Sequence, residues 1–452
     1  MQAQPQNRIF SNHDLRILIF PLVIELALEL IVGLLDSVMV SSVGEAAVSG
    51  VSLVDSVMQL LIYIFAALAS GGAVVAGQYL GAKKQAEARF AAGELIRLNL
   101  VLSVAIALVM LAAQRWILTH VFGQIDAAVY YHAEGYFSVA VFTIPAIGVY
   151  EAGTAIFRTM NNAKITMKTS LLINVMNGIG NAILIYGCAM GTAGAALSTL
   201  IARWTAAVII VVLLLNPKRV LSVKTTLVQG FDFKMSRRIL TMGVPNGVEN
   251  AVFQLGKVMI LGLVATFGVS AITANAVTQT LASIEMIPGS AIQLAAIPII
   301  ARCVGAEDYA QAKYYNRKLL AISYLSVLGW SLGMVCALPA ILSFYQLSES
   351  THHLVVTLFL WHTAGAVTLW PLAFDLPASL RAAGDVRFPM LISIASMWIF
   401  RFGGAHLLSK GLGLGIAGVW IAMAILDWGF RAGVYLYRWH GGKWMEKCSL
   451  IE

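Results

Sequence analysis

The chain has 452 residues, of which 59% are hydrophobic and only 12% are charged, and its mean hydropathy is +0.81. Soluble domains carry about 25% charged residues, so this composition excludes a soluble enzyme, a disordered chain and a fibrous repeat, and predicts a protein that lies mostly in lipid. The net charge of +8 indicates basic residues in cytoplasmic loops rather than a nucleic-acid partner.

Long apolar stretches predict membrane-spanning helices, because about 20 residues cross the hydrocarbon core of a bilayer. The stretches are continuous rather than alternating, which favours helices over a β-barrel. We therefore predict an all-α membrane protein with twelve transmembrane helices. The predicted spans are 15–40, 53–78, 93–114, 133–153, 166–187, 194–216, 240–266, 275–300, 317–341, 354–379, 389–408 and 414–438.

The distribution of basic residues predicts how these helices are oriented. If the amino terminus is cytoplasmic, 23 of the 30 Lys and Arg residues fall on the cytoplasmic side, 2 lie in outside loops and 5 lie within spans. Because cytoplasmic loops are enriched in Lys and Arg, we predict a multi-pass protein of the plasma (inner) membrane with both termini cytoplasmic. The basic cytoplasmic linker 217–239 separates an amino-terminal six-helix lobe, 1–216, from a carboxyl-terminal six-helix lobe, 240–452.

The cysteines indicate neither a disulfide framework nor a zinc site, because they are scattered without a CxxC motif or a Cys/His cluster. No cofactor is expected. The polar amino terminus runs directly into the first apolar stretch, so no cleavable signal peptide is expected. The four cysteines are Cys188, Cys303, Cys336 and Cys448.

The two halves of the chain repeat each other at one constant lag: Pro21 matches Pro245, and Glu25 matches Glu249. Because six spans is an even number, both halves enter the membrane from the same side. We therefore predict two homologous lobes related by a pseudo-two-fold axis along the membrane normal, an architecture typical of transporters. Further matches are Gly44 with Gly268, Gly191 with Gly415, Trp204 with Trp428 and, with the lag shortened by one, Arg158 with Arg381.

Three stretches carry a resemblance to a known family. The first span reads PLVIELALELIVGLLDSVMVSSVG, the seventh reads GVPNGVENAVFQLGKVMI, and the tenth leads into LPASLRAAGDVRFPM. Together with the twelve spans, these stretches resemble the MATE (multidrug and toxic compound extrusion) family of transporters, in its bacterial type. The resemblance implies a cation-coupled antiporter, driven by H⁺ or Na⁺, that exports organic and mainly cationic compounds from the cytoplasm by alternating access.

The first span carries three acids, Glu25, Glu29 and Asp36, whose spacings of 4 and 7 residues place them along one face of a helix. Three carboxylates on one apolar face cannot all be ionised, so at least one is expected to be protonated near neutral pH. A proton-coupled carrier requires such a group, and all three are candidate substrate or proton-coupling residues. For Glu25 the alternative is an ion pair with a loop arginine near the cytoplasmic interface.

The fifth and sixth spans contribute Asn177, Asn181 and Thr199. The resemblance implies that these residues and Asp36 form a cation site, because some relatives have an Asp in the first span, an Asn and an Asp one turn apart in the fifth, and a Thr in the sixth. This chain departs from those relatives at Asn181, whose amide can coordinate Na⁺ but cannot titrate. The alternative is that the two asparagines make hydrogen bonds between helices.

The seventh span places Gln254 and Lys257 on one helical face with Glu249 beside it, and these are further candidate substrate or proton-coupling residues. Some relatives have a Glu further along this span, at the position of Phe253. The alternative is a buried ion-pair network, because a cation inside the membrane needs an acidic partner. In that network Lys257 and Arg401 neutralise Glu249, Glu285 or Asp427.

No HExxH motif, Ser/His/Asp cluster or His–carboxylate pair is recognisable within the spans, so an enzyme is not expected. The isolated His362 and His406 are predicted to be packing residues. A flippase for lipid-linked substrates is the alternative within the wider MATE-like superfamily, but such proteins often have extra spans and a strongly cationic cavity. The expected partners are a small organic solute and the lipid bilayer, and we expect a monomer.

Overall fold

The computed structural model describes residues 8–123 and 125–447, which include all the candidate site residues; Cys448 lies outside these ranges. The described part of the chain is helical and contains no β-strand. Its main helices are α1 (Asn12–Ser41), α2 (Glu45–Gly81), α3 (Gln85–Val121), α4 (Ala127–Thr159), α5 (Ala163–Gly187), α6 (Gly191–Leu214), α7 (Phe233–Ala265), α8 (Val269–Glu285), α9 (Ile287–Gly305), α10 (Tyr309–Ser343), α11 (Glu349–Thr368), α12 (Pro371–Ala382), α13 (Arg387–Gly411) and α14 (Gly415–His440).

Within the described ranges, eleven of these helices are long and apolar enough to cross a membrane. A twelfth span is formed by α11 and α12 together, which bend by 60° at the break between them. The prediction of an all-α membrane protein with twelve transmembrane helices is therefore confirmed.

Two of the predicted spans are broken helices. The predicted span 275–300 crosses the junction between α8 and α9 at Met286, and the predicted span 354–379 crosses the bend between α11 and α12. A proline follows each break, Pro288 in α9 and Pro371 in α12. Proline lacks a backbone N–H and clashes with the preceding turn, so apolar length identified these crossings but not their breaks.

The predicted linker 217–239 is partly helical, because α7 begins at Phe233. The preceding part of the linker packs on α3. There the guanidinium of Arg97 donates hydrogen bonds to backbone carbonyls of the linker, including that of Thr226, and forms an ion pair with Glu94. These contacts provide partners for Arg97, one of the basic residues that the sequence places within a span.

The helices form two compact units. The amino unit, Asn12–Gly247, contains α1–α6 and the first part of α7. The carboxyl unit combines Val248–Glu452 with Met1–Ser11 and contains the rest of α7 and α8–α14. The division falls inside α7, beyond the predicted linker. The assignment of 1–216 and 240–452 as lobes related by a pseudo-two-fold axis stays a prediction.

A cluster of buried apolar side chains fills each unit. In the amino unit it includes Phe65 of α2 and Phe137 of α4, and in the carboxyl unit it includes Phe359 of α11. Glycines allow the closest approach of helices. A Cβ atom on Gly71 of α2 would lie 2.5 Å from the backbone nitrogen of Gly243 in α7.

Unusual backbone conformations recur at the lag of the internal repeat. Lys83 and Glu307, which follow α2 and α9, have φ angles of 60° and 57°. Gly191 and Gly415, which begin α6 and α14, both have a φ of 56°. Positive φ angles are uncommon in residues other than glycine, so their recurrence at the same lag as Pro21 and Pro245 supports the repeat independently of side-chain identity.

Candidate functional site

The four side chains predicted to form a cation site lie together in the amino unit. Asp36 comes from α1, Asn177 and Asn181 from α5, and Thr199 from α6. The Nδ2 atom of Asn181 donates to Asp36 Oδ1 at 2.8 Å and lies 3.2 Å from the amide of Asn177. Asp36 is half-buried and both asparagines are buried. The four-residue spacing on α5 directs the two amides to the same side of that helix, toward Asp36.

The hydrogen-bonding groups around Asn177 determine which way its amide points. With its nitrogen toward Asp36, it donates to Oδ1 at 2.6 Å and to Oδ2 at 3.0 Å, and its oxygen accepts from the Thr199 hydroxyl at 2.8 Å. With its oxygen toward Asp36, acceptors face each other, which is favourable only with a proton or a cation between them. The group therefore closes on itself through hydrogen bonds, and only a rotation of the Asn177 amide would present carboxylate and amide oxygens together to a cation.

The chemistry of these four side chains fits a small hard cation better than a transition metal. They offer one carboxylate, two amides and a hydroxyl, and the Oδ1 atom of Asn181 is buried without a hydrogen-bond partner among the described residues. Oxygen ligands of this kind suit hard cations. No group of three or more His, Cys, Asp or Glu residues that could hold a metal ion occurs in the ranges that the structure describes.

Two further charged residues act electrostatically on Asp36: Asp55 of α2 and Arg203 of α6. Asp55 accepts a hydrogen bond from the hydroxyl of Tyr136 in α4 at 3.0 Å. Sequence reasoning missed Asp55 and Tyr136, because they are 81 residues apart and only the fold brings them together. The available signal was an acid inside an apolar span, which by default indicates a functional or paired residue.

The three acids of α1 have different surroundings and do not form one group. Glu25 is 1% exposed and accepts hydrogen bonds from Arg158 Nη2 at 2.8 Å and from the Thr166 hydroxyl at 2.6 Å. Glu29, one turn further along α1, is exposed. Asp36 lies with the asparagines of α5. The alternative expected for Glu25 was an ion pair with a loop arginine; Glu25 does pair with an arginine, but Arg158 lies in the last turn of α4 rather than in a loop.

Glu249 makes the corresponding ion pair in the carboxyl unit. Its carboxylate oxygens accept from Arg381 Nη2 at 2.8 and 2.7 Å, and Arg431 Nη2 lies 3.8 Å from Oε1. Gln254, also a candidate, is half-buried on the same helix, α7. Glu249 is thus joined to arginines rather than to Gln254 or Lys257.

The predicted ion-pair network is right for Arg401 and wrong for Lys257. Arg401 Nη1 lies 3.6 Å from Asp427 Oδ2, but no acid lies within 4 Å of Lys257 in the parts of the chain described. Lys257 is exposed, and its Nζ lies 5.4 Å from the ring centroid of Phe253. A cation–π contact contributes about 0.5–2 kcal/mol, whereas an ionised lysine at the bilayer centre costs about 2.5–3.5 kcal/mol. The ring therefore does not fully offset this charge.

A histidine–carboxylate pair also lies in the carboxyl unit, contrary to the sequence analysis. Glu285 of α8 and His362 of α11 are both buried, with Oε2 and Nδ1 2.6 Å apart. The rings of Trp420 and Trp428 contact the imidazole. The prediction that His362 is an isolated packing residue is therefore wrong. Its partner is 77 residues away in the sequence, and no short motif links them.

A comparison with protein-family models agrees with the internal repeat. The family model described as MatE matches residues 21–183 and 245–406. The first residues of the two matches are separated by the lag identified in the sequence, and their last residues are separated by that lag shortened by one. The repeat of two homologous halves is therefore confirmed.

Similar proteins cover almost the whole chain. It is 28% identical to "Uncharacterized transporter YisQ" of Bacillus subtilis (strain 168), over 98% of this chain and 97% of that protein. It is 24% identical to "Probable multidrug resistance protein NorM" of Thermotoga maritima, over 96% of this chain and 93% of that protein.

Among solved structures, one described as the "Outward-facing conformation of a multidrug resistance MATE family transporter of the MOP superfamily" matches with a TM-score of 0.88 and 18% identity, over 96% of both chains. Another, described as "MATE in complex with MaL6", matches with a TM-score of 0.89 and 19% identity, over 96% of this chain and 97% of that one. At these identities the similarity demonstrates a common fold.

Proposed function

Because the chain belongs to the MatE family of transporters, we propose that it exports organic solutes from the cytoplasm in exchange for inward H⁺ or Na⁺. We further propose that it does so by alternating access, in the plasma (inner) membrane, with both termini in the cytoplasm. The relatives named as multidrug resistance proteins support efflux as the direction of transport.

The observation that carries this proposal is the group formed by Asp36, Asn177, Asn181 and Thr199. A single carboxylate, linked to Asn181 at 2.8 Å, has neighbours that can either hydrogen-bond to it or share a cation with it. Ion binding would replace those hydrogen bonds. It would thereby change how α1 is held against α5, which is the kind of two-state element that coupling requires.

Asp36 and Glu29 are the residues that we propose for coupling in the amino unit. Asp36 would take the coupling ion, in competition either with the solute or with a bent conformation of α1 at Pro21. Glu29 is exposed on the same helix, so its carboxyl group is accessible to a proton or a cationic solute. Glu25 is held by Arg158 at 2.8 Å and suits a structural role better than a coupling role.

The balance of charge in the amino unit supports a cationic solute. The acids that interact electrostatically with Glu29 and Asp36 outnumber the bases. The acids are Glu25, Asp55 and Glu151, and the bases are Arg158 and Arg203. An excess of carboxylates near a polar group inside a membrane attracts positive charge.

The test is the efflux of a cationic dye from proteoliposomes under imposed H⁺ or Na⁺ gradients. We expect an imposed gradient of at least one of the two ions to drive ethidium transport by the wild-type protein. Asp36→Asn is expected to lose this gradient-driven transport. Glu87→Gln removes an exposed carboxylate in the first turn of α3 and is expected to transport like the wild type. The gradient that drives the dye identifies the coupling ion.

Two outcomes would contradict the proposal. Equal transport by Asp36→Asn and the wild type would remove Asp36 from the mechanism. A protein that leaves the dye in place but moves a fluorescent lipid-linked sugar between leaflets would favour the flippase alternative.

A further inference from the structure

Three cations of the carboxyl unit surround one phenyl ring. The Nζ atom of Lys257 lies 5.4 Å from the ring centroid of Phe253, and the guanidinium carbons of Arg401 and Arg431 lie 5.0 and 5.9 Å from it. Arg431 lies closer still, at 4.5 Å, to the ring of Phe374. We refer to Lys257, Arg401, Arg431 and Phe253 as the cationic cluster. Its members come from α7, α13 and α14, all of which are apolar spans, where an unpaired positive charge is unfavourable.

The carboxylates near the cationic cluster do not balance its charge. Asp427 Oδ2 lies 3.6 Å from Arg401 Nη1, and Glu249 Oε1 lies 3.8 Å from Arg431 Nη2. Glu249 is also bound more closely, at 2.7 Å, by Arg381 outside the cluster. Two carboxylates therefore serve three arginines, and Lys257 has no acid within 4 Å in the ranges described.

The arginines also present hydrogen-bond donors that lack acceptors. Arg431 is 2% exposed, yet its Nε and Nη1 atoms have no hydrogen-bond partner in the described structure, even with the Tyr435 hydroxyl beside it. Arg401 is 8% exposed, its Nε has no partner among the described residues, and its Nη2 contacts the sulfur of Met423 at 3.0 Å. Buried donors are normally paired, so several unpaired N–H groups in one place are unusual.

Lys257 adds an accessible charge on the same side of α7. The side chain is exposed, and its ammonium lies over Phe253, four residues earlier on the helix. Side chains on a helix lean toward its amino end, so the four-residue spacing brings the ammonium over the ring, and the exposure of Lys257 leaves its charge accessible.

We propose that the cationic cluster binds the oxyanion group, a carboxylate or a phosphate, of an organic solute whose apolar part packs on Phe253. Guanidinium N–H groups bind planar oxyanions in a fork, and the ammonium of Lys257 adds a charge-assisted hydrogen bond. This site deepens the proposed export function, on which it rests for its place in transport, because it adds zwitterionic and anionic compounds to the expected solutes. An anionic lipid headgroup carries the same chemistry, and the experiment separates the two sources.

The test measures the equilibrium binding of 2-naphthoate by calorimetry to the full chain in nanodiscs of phosphatidylcholine. The matched compounds 2-naphthamide, which is neutral, and 2-naphthylmethylammonium, which is positive, are expected to bind at least about tenfold more weakly. Lys257→Gln is expected to weaken 2-naphthoate binding by about tenfold, because it removes the unpaired charge. Lys257→Arg keeps that charge and should retain binding. Lys410→Gln removes a distant exposed lysine of the same unit and should not change binding.

Three results would overturn the proposal. The first is no preference of the protein for 2-naphthoate over the neutral amide. The second is wild-type affinity in Lys257→Gln. The third is loss of 2-naphthoate binding when phosphatidylglycerol replaces phosphatidylcholine, which would assign the cationic cluster to lipid headgroups. Binding is measured without an ion gradient, so a failure of dye efflux would contradict the proposed function and leave this result unchanged.

Discussion

Glu25 and Arg158 form a buried ion pair, with 2.8 Å between Oε1 and Nη2, that joins α1 to the end of α4. The matching positions of the repeat, Glu249 and Arg381, form the same pair at 2.7 Å in the carboxyl unit. Each acid lies four residues after a proline on the first helix of its half. The same ion pair therefore occurs in both halves, where it links the first helix, α1 or α7, to a later helix of that half, α4 or α12.

Removing one partner of this pair should destabilise the protein strongly. Arg158→Gln leaves the Glu25 carboxylate buried with the Thr166 hydroxyl, and breaking a buried pair costs about 3–5 kcal/mol. The double variant Glu25→Gln with Arg158→Gln should lose less than Arg158→Gln alone, because no unpaired charge remains. The measurement is the free energy of unfolding in mixed micelles.

The exposed pair Arg115–Glu134, with 3.7 Å between Nε and Oε1, serves as the control for Arg158→Gln. Arg115→Gln should cost less than about 1 kcal/mol, because solvent screens surface ion pairs. Equal losses in Arg115→Gln and Arg158→Gln would contradict a structural role for the buried pair.

The sequence alone predicts the parts of this fold that depend on periodicity and composition. Apolar length identifies twelve crossings, and matching residues such as Pro21 and Pro245 reveal the repeat, because both signals are local or have a fixed lag. The breaks at Met286 and near Pro371 were missed, since a proline can either kink or interrupt a span, and packing decides which.

The candidate sites were predictable to a smaller extent. The family resemblance predicted that Asp36 and Asn181 lie together, and Asn181 Nδ2 lies 2.8 Å from Asp36 Oδ1. The pairing of Glu285 with His362 was not predictable, because their contact depends on how α8 packs against α11. Lys257 was expected to be paired, since the cost of an intramembrane charge identifies the need for a partner but not the partner itself.

A methyl group at the contact of α2 with α7 should not be tolerated. The Cβ of Gly71→Ala would meet the backbone nitrogen and Cα of Gly243 at 2.5 and 2.7 Å, and backbone atoms cannot move aside like a flexible side chain. We expect a loss of about 1–3 kcal/mol, typical of overpacking, measured as a lower free energy of unfolding. Gly262→Ala, on α7 with no described atom within 4 Å of its Cβ, should instead be neutral or stabilise by up to about 1 kcal/mol. Similar losses in both variants would refute the close contact.

Removing the imidazole of His362 should leave a buried carboxylate without its partner. Glu285 is fully buried, and its second oxygen, Oε1, already has no hydrogen-bond partner in the part of the chain described. We expect His362→Ala to cost about 3 kcal/mol or more, and His362→Gln, which keeps a hydrogen-bond donor, to cost less. The control is His353→Ala, at an exposed histidine of the same helix, which should change the free energy of unfolding by less than about 0.5 kcal/mol. If His362→Ala were as stable as His353→Ala, the pair would have no structural importance.

Sodium should stabilise the protein through the Asp36 group if Na⁺ is the coupling ion. A ligand that binds only the folded state raises its stability by about 2.7 kcal/mol at 100 times its Kd. The measurement is the thermal unfolding midpoint in NaCl compared with choline chloride at constant ionic strength. We expect the Na⁺-dependent rise to disappear in Asp36→Asn, which removes the carboxylate, and to decrease in Thr199→Val, which removes the hydroxyl. Thr205→Val, on the same helix but hydrogen-bonded to the Ile201 carbonyl, should keep the full rise. If the rise persists in Asp36→Asn, Na⁺ binds elsewhere. If Na⁺ does not raise the unfolding midpoint of the wild type, but a proton gradient drives its transport, then H⁺ is the ion that binds at Asp36.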